Sequence, residues 1–168
     1  MAATISSRDF FRRISLIYFA QMIMLVVFAG VGYFLIEGGS LGEPNNELAV
    51  LLQKIIIVAV PVSMAAAYFV FRFATRNIPP QSTLSQKMNK YFVAVIIRSA
   101  LLEVPGLLVV VAAIATAQSL LLIIIPVILF VFALLRPTPS AAAQDLELSP
   151  EEREQVENPE APIAEPMG

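Results

Sequence analysis

The fold class predicted is an all-α polytopic membrane protein: a four-helix transmembrane bundle made of two tandem hairpins, followed by a disordered acidic tail. Three observations predict it. The 168 residues are 58% hydrophobic and only 14% charged, against about 45–50% and about 25% in soluble domains, and the mean hydropathy is +0.78. The charges cluster in short zones separated by apolar runs long enough to cross a bilayer. Cationic residues sit on alternate flanks of those runs, as the positive-inside rule demands.

After a short N-terminal segment (1–13), the transmembrane domain covers 14–136, with spans at about 14–36, 49–71, 91–116 and 119–135. The first run would measure about 34 Å as a helix at about 1.5 Å per residue. It is far longer than the apolar core of a signal peptide, so it is read as a span. The fourth is the shortest, near the lower limit for crossing. Reading 91–135 as one helix would give about 67 Å, more than twice the hydrocarbon thickness. The polar patch Thr116–Ala117–Gln118–Ser119 is therefore read as a tight hairpin.

Orientation follows from the basic residues. Arg8, Arg12 and Arg13 precede the first span, Arg72, Arg76, Lys87 and Lys90 lie between the second and third, and Arg136 follows the fourth. The loop after the first span carries Glu37, Glu43 and Glu47 and no cation. Both termini are thus predicted in the cytoplasm, with Phe10, Phe11, Tyr33, Tyr68 and Tyr91 as interfacial anchors. Lys54, near the outer end of the second span, reads as a snorkelling anchor. Aligning Pro61 with Pro126 superposes Pro-Val on Pro-Val, with branched apolar residues upstream of both (Ile55–Ile57 and Ile123–Ile125), which points to a tandem duplication of the hairpins.

The tail, 137–168, has eight acidic residues and one basic, net −7, whereas residues 1–136 carry +5. Its Pro-, Ala- and Glu-rich composition predicts disorder. One exception is Ser149–Pro150–Glu151–Glu152, which reads as N-cap, N1 proline and N3 carboxylate of a short helix to about Asn158. The tail is either a solvated segment or a docking peptide for a basic partner.

Polar groups inside the spans are the candidate site. Counted from the cytoplasmic ends, Gln21 and Arg98 lie about 10 Å deep, Ser63 about 12 Å and Glu103 about 18 Å. Arg98 and Glu103 are five residues apart, about 140° around an ideal helix, and so do not share a face. Pro61, Pro105 and Pro126 are helix-kink candidates that free the carbonyls of Ile57, Leu101 and Leu122. Two states are open to Glu103: an ion paired with Arg98, or a neutral acid donating to the carbonyl of Ile57 or Leu122. The four polar residues form either a fixed interhelical network or an ion- or proton-handling site. A small-residue stripe on the second span (Ala59, Ser63, Ala67) favours close packing, and a face of the third span with Ser99, Glu103, Gly106, Val110 and Ala113 is expected to turn inward.

Two resemblances follow. The stretch Arg98-Ser-Ala-Leu-Leu-Glu103-Val-Pro-Gly, with Arg136-Pro-Thr and Leu-Glu-Leu-Ser-Pro-Glu-Glu (146–152), resembles an uncharacterised family of small four-helix bacterial inner-membrane proteins. That implies a bacterial inner-membrane location and brings no activity. The Arg-x4-Glu helix is also similar to the carboxylate helix of rotary-ATPase proteolipid subunits, including duplicated four-helix forms. It differs in carrying the carboxylate on the first helix of its hairpin and in lacking dense Gly-x-Gly repeats.

The chain has no Cys and no His, which removes disulfides, thiol nucleophiles, Ser-His triads and the usual zinc sites. No cofactor, metal or catalytic residue is expected, and no nucleic acid partner, since topology accounts for the cations. The expected function is a non-catalytic accessory or scaffold subunit. Its partners would be the bilayer and other membrane subunits or copies of itself. The alternatives are a proton- or ion-handling protein using Glu103 with Arg98, and a small solute transporter acting as an oligomer.

Overall fold

The computed structural model describes residues 5–39, 41, 46–79 and 81–164. In chain order it has β1 (Ile5–Ser6), α1 (Ser7–Glu37), α2 (Asn46–Arg76), α3 (Leu84–Thr116), a 3-10 run (Ser119–Ile123), α4 (Ile124–Leu134), α5 (Pro139–Asp145), α6 (Pro150–Glu157) and β2 (Pro162–Ala164). Three of these helices, α1, α2 and α3, are long and apolar enough to cross a membrane. Each contains the apolar run read from sequence and extends beyond it into polar flanks.

Local chemistry sets those extensions. Ser6 caps α1, its Oγ accepting from the Asp9 amide at 3.2 Å and donating to the Asp9 carboxylate at 3.1 Å. Thr83 and Gln86 close a reciprocal capping box at the start of α3, both bonds 3.3 Å. Thr-x-x-Gln was visible in the sequence as that signature, yet apolarity alone put the helix start seven residues later.

The break after α3 is one left-handed residue. Ala117 has φ 51°, while the Gln118 amide donates to the Ala113 carbonyl (3.0 Å) and the Ala117 amide to that of Ile114 (3.3 Å). These are the two bonds of a Schellman ending, which stops the helix and turns the chain. The second helical stretch that follows is 16 residues, five of them 3-10. Pro126 therefore sits in the first turn of α4, where a missing amide costs little, whereas Pro61 and Pro105 lie inside α2 and α3. The two prolines aligned as a repeat thus occupy different helical positions, in helices of unlike length.

The tail is the main correction. Expected to be disordered, it folds through Ala164. Thr138 caps α5 (Ala141 amide to Thr138 Oγ1, 3.2 Å). A second Schellman ending at left-handed Glu147 (φ 48°) turns the chain, and Ser149 opens α6 with the capping box read from sequence. β2 pairs antiparallel with β1. Ala142, Ala143, Val156, Ile163 and Ala164 are buried. Composition judged the tail in isolation; it folds because other segments supply the apolar surface that it lacks.

The chain divides into two compact units. One comprises 1–18, 68–98 and 136–168, the other 19–67 and 99–135. The first has Phe10, Ile14, Tyr18, Phe71, Met88, Tyr91 and Val156 in its core, and the second Leu25, Ile56, Leu102, Val109, Ile128 and Phe132. Half of the most apolar window of α3 is buried, against 22% in α1 and 11% in α2. The remaining apolar surface, such as Ile23, Met24, Ile57, Val58 and Phe69, is exposed. An exposed apolar surface of this extent is what helices present to lipid or to a partner that covers them.

Candidate functional site

Of the four polar residues singled out within the spans, Gln21, Ser63 and Glu103 belong to the second unit and Arg98 to the first. Ser63 Oγ donates to the carbonyl of Leu101. That carbonyl is the one whose helical donor Pro105 removes, so a side chain on α2 replaces the missing amide of α3. Both halves of this bond were legible: the freed carbonyl by the proline, the hydroxyl by its depth. Sequence reasoning instead offered proline-freed carbonyls to Glu103. Among the described residues no hydrogen bond or ion pair engages Glu103, which is half-buried on α3. Gln21 is also half-buried, and its Oε1 has no hydrogen-bond partner among the described residues.

The face of α3 expected to turn inward does so: Ser99, Gly106, Val110 and Ala113 are buried. A Cβ on Gly106 would lie 2.7 Å from a methyl of Leu25, and one on Gly32 would lie 3.2 Å from Val110. These glycines allow α1 and α3 to approach closely there. Ala67 on α2 is buried, Ala59 and Ser63 half-buried. At the far end of the same unit Gln53 donates to Gln118 (3.2 Å), and Gln118 to Asn46 (3.5 Å), an amide chain that sequence reading did not foresee. Lys54 is exposed.

Arg98 is 6% exposed, and its guanidinium carbon stands 3.9 Å from the centre of the Phe71 ring. A desolvated cation over an aromatic face gains about 2 kcal/mol. Its charge also acts on Asp145 at the end of α5, together with that of Arg72. Burial pushes the Asp145 carboxyl above its usual range, and the two arginines oppose that rise without cancelling it. The carboxylate electrostatically coupled to Arg98 in its unit thus comes from the tail, 47 residues along the chain. A tail assumed to be disordered could not disclose it.

Asp145 lines an open cavity of about 610 Å³ with Thr75, Arg76, Lys87, Ser149 and Glu152. Lys87 Nζ reaches both Glu152 oxygens, at 2.6 and 2.9 Å, in a pair that is mostly buried. Partial burial works against the charge on Glu152. Hydrogen bonds from Lys87 and Ser149 outweigh it and hold the carboxyl below its usual range. The Ser7 hydroxyl donates to the Val156 carbonyl (2.5 Å), and Arg8 pairs with Glu160 at 2.5 Å on the surface. Comparison of the chain with family models, curated proteins and solved structures gives no match. Chemically, this unit is a clamp: charged and hydroxyl groups of α1 and α3 bond the C-terminal segment, and the charge of Arg72 on α2 acts on Asp145.

Proposed function

We propose that the chain is a non-catalytic four-span protein of the bacterial inner membrane, an accessory or scaffold subunit of a larger assembly, with both termini in the cytoplasm. The observation that carries this reading is the union of the two chain ends in one unit through β1–β2 and the Ser7–Val156 hydrogen bond. Chain ends that meet must lie on one side of the bilayer, so the number of crossings is even. Three helices are long enough, and the run Ser119–Leu134 supplies the fourth crossing. Its five 3-10 residues rise about 2.0 Å each and its eleven α residues about 1.5 Å, giving about 26 Å. That is a few ångströms short of the hydrocarbon core, a mismatch that local thinning absorbs at modest cost. The positive flanks support a cytoplasmic location for the ends.

The folded tail supports a docking role. Glu151, Glu154, Glu157 and Glu160 are exposed on a segment already ordered, so a basic partner would bind without first ordering it. The test is native mass spectrometry of the full chain, extracted from its own membrane in mild detergent. Recovery in a defined complex with other polypeptides supports the subunit reading; a symmetric ring of identical copies overturns it.

Topology is tested separately with single cysteines in this naturally Cys-free chain. An impermeant maleimide should label Glu37→Cys and Gln118→Cys from outside the cell and Glu160→Cys only after lysis. The second reading, proton or ion handling, draws on Glu103 being half-buried in an apolar helix with no ion pair among the described residues. Reaction of Glu103 with a hydrophobic carbodiimide, suppressed at high pH, would favour it.

A further inference from the structure

We propose that the groove beside the N-terminal turns of α1 and α3 is a binding site for one anionic phospholipid. The inference rests on the membrane reading above. Phe10, Leu16 and Ile17 of α1 and Phe92 of α3 form the apolar walls of a groove of about 280 Å³, and Arg13 and Asn89 contribute its polar atoms. The Phe10 and Phe92 rings meet edge to face, centroids 6.0 Å apart. Leu16 is 69% exposed and Ile17 37%, so the groove opens on an apolar surface that an acyl chain can continue along.

Charge complementarity names the headgroup. A second depression, lined by Asp9, Arg12, Arg13 and Leu16, shares Arg13 and Leu16 with the groove. Arg12 and Arg13 are exposed and make no hydrogen bond or ion pair with another described residue. The nearby Asp9 carboxylate is engaged by the Ser6 hydroxyl. Two guanidinium forks together match a phosphate, which arginine binds through paired N–H donors. Both directly precede the first apolar run, where the membrane reading expects interfacial cations. The occupant that satisfies apolar walls and arginines together is an anionic phospholipid, for which phosphatidylglycerol is the probe.

The test is native mass spectrometry of the full chain in detergent, titrated with dioleoylphosphatidylglycerol or dioleoylphosphatidylcholine. The expected result is one retained phosphatidylglycerol per chain at a concentration at least tenfold below that needed for phosphatidylcholine. Arg12→Gln with Arg13→Gln should abolish the preference. The two arginines are exposed, so their replacement spares the core, and circular dichroism checks this. Equal retention of the two lipids overturns the proposal, as does a preference surviving the double arginine variant. Binding of glycerol 3-phosphate as tight as that of the lipid also overturns it, since the walls would then contribute nothing. A dimer without lipid adducts would mean that a second copy covers the groove. Failure of the membrane reading is seen independently, as release of the chain from carbonate-washed membranes.

Discussion

Ser63 and Pro105 act as a pair. The proline leaves the Leu101 carbonyl without its helical donor, and the serine hydroxyl fills the gap. Interhelical hydrogen bonds within membranes contribute about 0.6 kcal/mol on average and up to about 1.7. Ser63→Ala should therefore cost about 1 kcal/mol in reversible unfolding in detergent micelles. In a Pro105→Ala background, where the residue-105 amide returns to Leu101, the same change should cost close to nothing. Equal losses in both backgrounds would show that the serine acts through packing alone. Glu103 has the opposite character, a carboxyl without a partner among the described residues. Glu103→Gln should leave folding and assembly intact by size-exclusion chromatography, and a chain that aggregates would show that the charge is structural.

At the scale of elements, the contact between α1 and α3 in the second unit depends on where backbone is bare. A methyl at Gly106 would press within 2.9 Å of both terminal carbons of the fully buried Leu25. Gly106→Ala should destabilise by about 1–3 kcal/mol, as overpacking does. Gly30→Ala meets nothing within 4 Å, and its better helix propensity should stabilise by up to about 1 kcal/mol. Thermal unfolding in one detergent checks both, and opposite signs are the expected outcome. Restoring space with Leu25→Val in the Gly106→Ala background should recover part of the loss.

At the scale of the whole molecule, the C-terminal segment is held by charges whose pH responses differ in sign. The Glu152 carboxyl is depressed, so its contribution is full above its unfolded value of about 4.3. That contribution is lost as pH falls through the lower folded value. Asp145 is raised, so its burial opposes folding at neutral pH, and protonation on acidification relieves that cost. Hydrogen-exchange protection of the α6 amides, corrected for intrinsic rates, should fall below about pH 4.3 in the native chain. Glu152→Gln keeps an N3 group able to complete the capping box but loses the Lys87 ion pair. It should lower protection about fivefold at pH 7, equivalent to about 1 kcal/mol, and remove the acid step. An acid step that survives the substitution would assign it to another group.

Hydropathy, the polar patch after Thr116 and the capping pattern at Ser149 by themselves determined the apolar helices, the break at Ala117 and the start of α6, because these depend on spacing along the chain. A helix closes its own hydrogen bonds, and a lipid-facing surface needs only apolarity, so neither requires knowledge of distant residues. Capping at Ser149 was equally local. The order of the tail, the coupling of Arg98 to Asp145 and the hydrogen bond from Ser63 to Leu101 were decided by tertiary structure alone. Each joins residues 38 to about 150 positions apart, and a composition rule weighs a segment as if it stood alone. The acidic tail is too polar to bury a core of its own. It folds because α1, α2 and α3 supply in space the apolar and cationic surface that its own stretch of sequence lacks.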